Sequence, residues 1–160
     1  MSPLRTALEP FVTPVFRLWW RWSRGMTLGV RGLAQDAEGR VLLVRHPYVA
    51  GWFLPGGGVE SGETAAHALG REMAEEGGVE VTAPMTLLGV YSNAPVHRND
   101  HVVFFRVTDW RPCAPKSDGE IAERGFFALD ALPEGVSKGT RARLAEVFEG
   151  AAVSPYWSPR

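Results

Sequence analysis

The stretch Gly57–Val79, GGVESGETAAHALGREMAEEGGV, decides how the rest of the chain is read. Over Thr64–Glu76 the apolar residues Ala65, Ala66, Leu69 and Met73 recur at helical spacing. Thr64 offers a hydroxyl for the N-cap, and Gly77-Gly78 ends the helix. Glu72, Glu75 and Glu76 then fall at i, i+3 and i+4, on one helical face. Like charges so placed repel by ~0.2–0.5 kcal/mol per pair in water. A solvated face accounts for this, as does compensation by Arg71, which precedes Glu75 by one turn. A hard cation accounts for it too, because Mg²⁺ takes carboxylate oxygens and shares its shell with substrate phosphates. For the helix alone, the solvated face is the plainer reading.

The residues just before the helix change that balance. Gly56-Gly57-Gly58 lets backbone approach a ligand closely. The loop also leads into a helix N-terminus, where amides and the helix dipole favour anions. Glu63 at this entry can reach Arg71, eight residues on, if loop and helix pack together. A glycine loop, an acidic face and an ion pair in one compact unit suit a metal–pyrophosphate site.

The full spacing is Gly57, five residues, Glu63, seven residues, then Arg71-Glu72-Met73-Ala74-Glu75-Glu76-Gly77-Gly78-Val79. It resembles the complete signature of the Nudix hydrolases, with seven fixed residue types and two apolar positions matched. At ~7% background per residue type, a chance match is on the order of one in ten million. Met73 departs mildly from the aliphatic residue more usual there. The resemblance implies a mixed β-sheet sandwiched between helices, an α/β/α sandwich in which the signature forms loop–helix–loop. It also implies Mg²⁺- or Mn²⁺-dependent hydrolysis of a diphosphate bond in a nucleoside diphosphate derivative, such as ADP-ribose or a nucleotide sugar. By the same resemblance Glu72, Glu75 and Glu76 are metal ligands, joined by a main-chain carbonyl of Gly56 or Gly57. Glu63 and Arg71 support that set, and Glu120, with Glu123 as the alternative, is the candidate general base. Other outcomes on the same fold are a housecleaning (deoxy)nucleoside triphosphate pyrophosphohydrolase and a non-catalytic nucleotide sensor. The retained acidic residues weigh against the sensor.

Outward from the signature, Met26–Leu33 and Arg40–Arg45 read as strands that could form a hairpin across Asp36–Gly39. Trp52–Leu54 is a short apolar run closed by Pro55 and the glycines. Thr86–Ser92, His101–Thr108 and Gly125–Leu129 are further strands, with a loop over Arg111–Gly119. Lys138–Phe148 is a C-terminal helix, and the tail beyond it is irregular. Helices and strands are mixed within one domain, so an α/β sheet flanked by helices is the natural architecture. The expected divisions are an amphipathic aromatic segment over 1–25, a hydrolase-like domain over 26–150 and a tail over 151–160.

Substrate contacts are harder to read. Trp52 and Tyr91 could stack on a base, although packing is the default for Trp52. Arg45 and His46 at a strand end could meet phosphate, with surface placement favoured. His97 and His101 bound a polar loop that could line the cleft, and His67 is assigned no role. Pro95, sixteen residues beyond Val79, is similar to a marker of ADP-ribose hydrolases.

The 160 residues suit one domain, and 45% hydrophobic with 22% charged residues is ordinary globular composition. A net charge of −1 excludes a global basic field for nucleic acid. Cys113 is the only cysteine, so no internal disulfide forms and a reducing, cytoplasmic setting is expected. Cys113 itself reads as a filler. Pro14–Arg24 places Arg17, Arg21 and Arg24 along one stripe beside Trp19, Trp20 and Trp22. Packing on the domain or in a homodimer is the default there, with a membrane-surface contact the sharper alternative.

Overall fold

The computed structural model describes residues 25–94, 96–116 and 119–159. The Pro14–Arg24 segment and Pro95 therefore lie outside the described residues. Among the described residues the chain forms seven strands: β1 (Thr27–Ala34), β2 (Val41–Arg45), β3 (Val79–Val81), β4 (Thr86–Ser92), β5 (Asp100–Val107), β6 (Trp110–Pro112) and β7 (Glu123–Phe127). Two α-helices of the described residues, α1 (Ala65–Glu75) and α2 (Lys138–Phe148), accompany them. The main sheet has the order β1-β5-β4, with β1 parallel and β4 antiparallel to β5. Two-stranded ladders join β2 to β7 and β3 to β6, both antiparallel. No helix among the described residues is long and apolar enough to cross a membrane.

Strand alternation divides the core into two clusters. Val103, Phe105 and Val107 of β5 join Val30, Leu42, Leu69 and Met73 beneath α1. Val102 and Phe104 face the other way, toward Leu33, Leu43, Leu54 and Leu144 of α2. The result is an α/β/α sandwich. Helix α1 can sit closely on β1 because Gly32 is there: a Cβ at that position would lie 2.7 Å from the Met73 sulfur.

The expected hairpin is not formed. The chain does turn at Asp36, whose carboxylate accepts from the Arg40 amide at 2.8 Å. Only a single bridge, Gln35 to Val41, links the two strands there. Beyond it they diverge, and the glycine segment is stitched in between. The Val44 and Phe53 amides each donate to the other's carbonyl at 2.9 Å. The β1 amides of Val30 and Gly32 donate to the carbonyls of Gly57 and Pro55, and Val59 donates back to Leu28. Both strands are largely buried, so the backbone groups on both edges of each need partners, and one hairpin ladder would serve only one edge of each. The expected loop over Arg111–Gly119 also needs correction at its start. Arg111 and Pro112 belong to β6, which pairs with a β3 too short to stand out as a periodic run. Arg111 reinforces that pairing through Glu80 at 2.8 Å. The last strand lies two residues earlier than its apolar run, at Glu123–Phe127.

The tail has no regular secondary structure but is firmly tied. Ser92 donates to the Pro155 carbonyl and Trp157 donates to Ser92, so the segment runs parallel beside β4. Arg143 on α2 is fully buried. Its guanidinium donates to the Tyr156 carbonyl at 2.8 Å, bonds the Glu146 carboxylate and lies 3.9 Å over the Tyr91 ring. Removing one member of a buried ion pair strands the other charge, at about 3–5 kcal/mol. Arg143→Met should lower the unfolding free energy by about that much in chemical denaturation. A loss under about 1 kcal/mol would show that the tail is held by other contacts.

Candidate active site

The site grows from three backbone segments brought together by the stitching just described. Thr64 caps α1, its hydroxyl accepting from the His67 amide at 3.2 Å. Gly78 ends the signature in the left-handed region at φ 67°. Along the buried flank of α1, Glu76 is 6% exposed and its Oε2 accepts from the Gly56 amide at 2.9 Å. Gly56 has φ 143°, and a Cβ there would lie 2.1 Å from the Val30 carbonyl oxygen. A Cβ on Gly57 would lie 2.4 Å from Glu72 Oε1. The glycines are therefore required by close approach, with β1 on one side and the α1 carboxylates on the other.

Arg71 ties the acidic face to the loop. Its Nε and Nη2 donate to Glu63 at 3.1 and 3.3 Å, and Nη1 donates to Glu72 at 2.8 Å and Glu75 at 3.2 Å. Nη2 also reaches the Gly58 carbonyl. These bonds hold the Glu63 carboxyl down at about 2. The Glu72 carboxyl moves the other way: burial raises it, the neighbouring Glu76 and Glu75 charges add to that, and Arg71 opposes. Among the described residues no three acidic or histidine side chains converge as a formed ligand cluster. Glu72 and Glu75 are instead turned to the guanidinium. Pro55 and Gly57 offer their carbonyls to β1, and among the described residues no backbone amide donates to the Gly56 carbonyl. Closely set carboxylates and a free carbonyl are hard oxygen donors, and the set fits Mg²⁺ or Mn²⁺.

Glu72, Glu76, Gly56 and Gly57 line a cavity of about 320 Å³, closed on other sides by Arg31, His46 and Glu120. Arg31 donates to the Leu54 carbonyl at 2.8 Å. Burial lowers its pKa, while Glu76 and Glu72 act to raise it. The His46 side chain is only 9% exposed, with Nε2 3.6 Å from Glu76 Oε1. Its Nδ1 lies 3.1 Å from the Glu120 carbonyl oxygen, so one imidazole links the Glu120 loop to α1.

The other candidates are scattered. Arg45 ion-pairs with Glu123 on the surface at 3.0 Å and lies over the Trp52 ring, which packs edge-on against Phe127. Tyr91 is 3% exposed and donates to Glu146, so its ring belongs to the core rather than to a stacking surface. His97 lines a second cavity, whereas His101 sits on β5 with a buried Nδ1 that lacks a partner. His67 is an exposed neighbour of Glu63. Arg31 escaped the sequence reading, and His46 was placed on the surface. The signal for Arg31 was a single charge inside the apolar strand TLGVRGLA.

A family model described as the NUDIX domain matches residues 25–149. The chain belongs to the Nudix hydrolase family. An ADP-ribose pyrophosphatase of Methanocaldococcus jannaschii is 33% identical over 103 residues, 62% of this chain and 60% of that protein. The match thus spans less than two thirds of that relative. A putative 8-oxo-dGTP diphosphatase of Bacillus subtilis is 34% identical over 126 residues, 78% of this chain and 82% of its own length. The crystal structure of a MutT NUDIX hydrolase from Burkholderia pseudomallei superposes with a TM-score of 0.64 at 28% identity, covering 76% of this chain and 97% of that one.

The Glu63–Arg71 pair carries a pH signature. The folded Glu63 value of about 2 lies below the ordinary 4.5. Its stabilisation is therefore complete above pH 4.5 and is lost as pH falls through about 2. Glu63→Gln should melt below the wild type at neutral pH, with the gap in Tm closing as pH is lowered from 4.5 toward 2. A gap that stays constant through that window would remove the ion pair as its cause.

Proposed function

We propose that the protein hydrolyses a phosphoanhydride bond in a nucleoside diphosphate derivative, with Mg²⁺ or Mn²⁺ as cofactor. The observation that carries this is the meeting of Glu72, Glu76 and the Gly56 backbone at one wall of a cavity that also holds Arg31, His46 and Glu120. Glu72, Glu75, Glu76 and the Gly56 carbonyl would hold the cation. When bound, it would neutralise the diphosphate and acidify a coordinated water.

The chain's own groups divide the remaining work. Arg31 faces the cavity with one donor engaged by Leu54 and offers the rest of its fork to phosphate oxygens. Glu120 is the candidate acceptor of the proton from the attacking water. His46 positions it by bonding the Glu120 backbone and standing beside Glu76. Glu63 and Arg71 keep the loop and α1 in register. In-line attack at one phosphorus then yields two phosphate-ended products without a covalent intermediate.

The relatives named above, an ADP-ribose pyrophosphatase and a putative 8-oxo-dGTP diphosphatase, support two substrate types. A nucleoside triphosphate cleaved to monophosphate and pyrophosphate is therefore the second reading. A panel of ADP-ribose, nucleotide sugars and nucleoside triphosphates, assayed with Mg²⁺ and Mn²⁺, separates the two by product. Turnover of at least one member is expected, with Glu76→Gln losing activity by about 100-fold or more at an unchanged Tm. Silence across the panel with both metals would overturn the proposal.

A further inference from the structure

His46 brings a nitrogen up to the oxygens of the proposed cation site. It lies outside the signature, just past the end of β2. It lines the same cavity as Glu72, Glu76 and Gly56, and its side chain is nine-tenths buried. The two ring nitrogens have different surroundings. Nδ1 lies 3.1 Å from the Glu120 carbonyl oxygen and 3.2 Å from the Tyr48 hydroxyl. A carbonyl only accepts, so Nδ1 carries the proton of that bond. In the neutral ring Nε2 then presents a lone pair. Nε2 stands 3.6 Å from Glu76 Oε1. The other oxygen of that carboxylate, Oε2, is taken by the Gly56 amide.

Two lone pairs that face each other repel unless something positive lies between them. A second ring proton would serve through a hydrogen bond, but such bonds span about 2.7–3.2 Å. The separation of 3.6 Å is longer than that. A shared cation suits it, since donors each about 2.1 Å from one ion stand no more than about 4.2 Å apart. The far side of the ring agrees. A histidine that ligates a metal donates its other N–H to a carbonyl or carboxylate, which fixes the tautomer and aims the ring. The Glu120 carbonyl takes that part here. Arg71 engages Glu72 and Glu75, so His46 and Glu76 form the portion of the donor set that already stands open to an ion.

We propose that His46 Nε2 is a further ligand of the cation, beside the Glu76 carboxylate, and that this nitrogen tilts the site toward first-row transition ions over Mg²⁺. This rests on the hydrolase reading above, which supplies the cation. It goes further by adding a ligand from outside the signature and a metal preference. Mg²⁺ is held by oxygen and gives up its waters reluctantly. Imidazole nitrogen suits first-row ions, with affinity rising from Mn²⁺ to Co²⁺.

The test reads the metal rather than turnover. Mn²⁺ is bound to the wild type without substrate, and its electron spin-echo modulation is recorded for coupling to ligand nitrogen. Bound imidazole gives that coupling, whereas carboxylate, carbonyl and water ligands do not. It should be present in the wild type and lost in His46→Gln, which offers oxygen in place of Nε2. Calorimetric titrations should show Co²⁺ binding the variant about tenfold or more weakly, with Mg²⁺ held within about twofold. His46→Asn replaces the first variant if that one fails to fold. Bound Mn²⁺ without nitrogen coupling in the wild type would overturn the inference, as would coupling that persists in a folded variant. Equal losses for Co²⁺ and Mg²⁺ would also overturn it, since a merely structural role gives that result. Turnover of the substrate panel by an enzyme whose Mn²⁺ shows only oxygen ligands would sink this inference and leave the hydrolase reading standing. A wild type that binds none of the three metals would sink both.

Discussion

The close passage of Gly56 between the Val30 carbonyl and the Glu76 carboxylate is the constraint on which the site depends. An extended segment can run there only if it carries no side chain, since a Cβ would lie 2.1 Å from the Val30 oxygen. Once it does, its backbone bonds to β1 through Pro55 and Gly57, and the Gly56 amide turns to Glu76. One stretch of backbone thus closes the sheet and fixes the Glu76 carboxylate. Alternation then leaves the Gly56 carbonyl without a backbone amide among the described residues, while its two neighbours are engaged. For the proposed cation site this pairing favours the Gly56 carbonyl over that of Gly57 as the main-chain ligand, a choice the signature alone leaves open.

The acidic face creates a second problem, which Arg71 addresses. Glu72 is partly buried beside Glu75 and Glu76, and its carboxyl is correspondingly harder to ionise. Arg71 bonds Glu63, Glu72 and Glu75 together. A planar fork with several donors can do this, whereas a lysine ammonium would act as a single point charge. Arg31 approaches from β1 and adds positive charge near Glu72 and Glu76. The fold therefore tolerates a clustered set of anions by placing guanidinium groups on both sides of it. The substrate phosphates would meet one of those same groups.

Much of this was legible in sequence, and what was not has local causes. Helix α1, its Thr64 cap and its glycine stop follow from spacing and cap chemistry, which act within a few residues. The bounds of α2 and β4 are likewise those that local pattern gives. The hairpin was misread because periodicity shows that β1 and β2 are buried strands but says nothing about their partners. That choice depends on the glycine segment inserted between them. His46 was read as a surface residue because it follows a strand end. Its burial comes from Glu76, thirty residues on, and from Glu120 in a distant loop. Tyr91 illustrates the converse. An aromatic at a strand end suits base stacking, but Arg143 and Glu146 from α2 claim its ring and hydroxyl.

The tail shows most clearly where local reading stops. Two prolines and no period give irregular chain, and irregular it is. Irregular backbone can still be rigid when its polar groups are bonded and its side chains are buried. Here Ser92 supplies the backbone partners, and Arg143 caps two carbonyls from inside the core. An arginine is suited to that position because its flat guanidinium can stack on Tyr91 and donate in plane at the same time. This buried clamp makes a segment outside the family match as fixed as a strand.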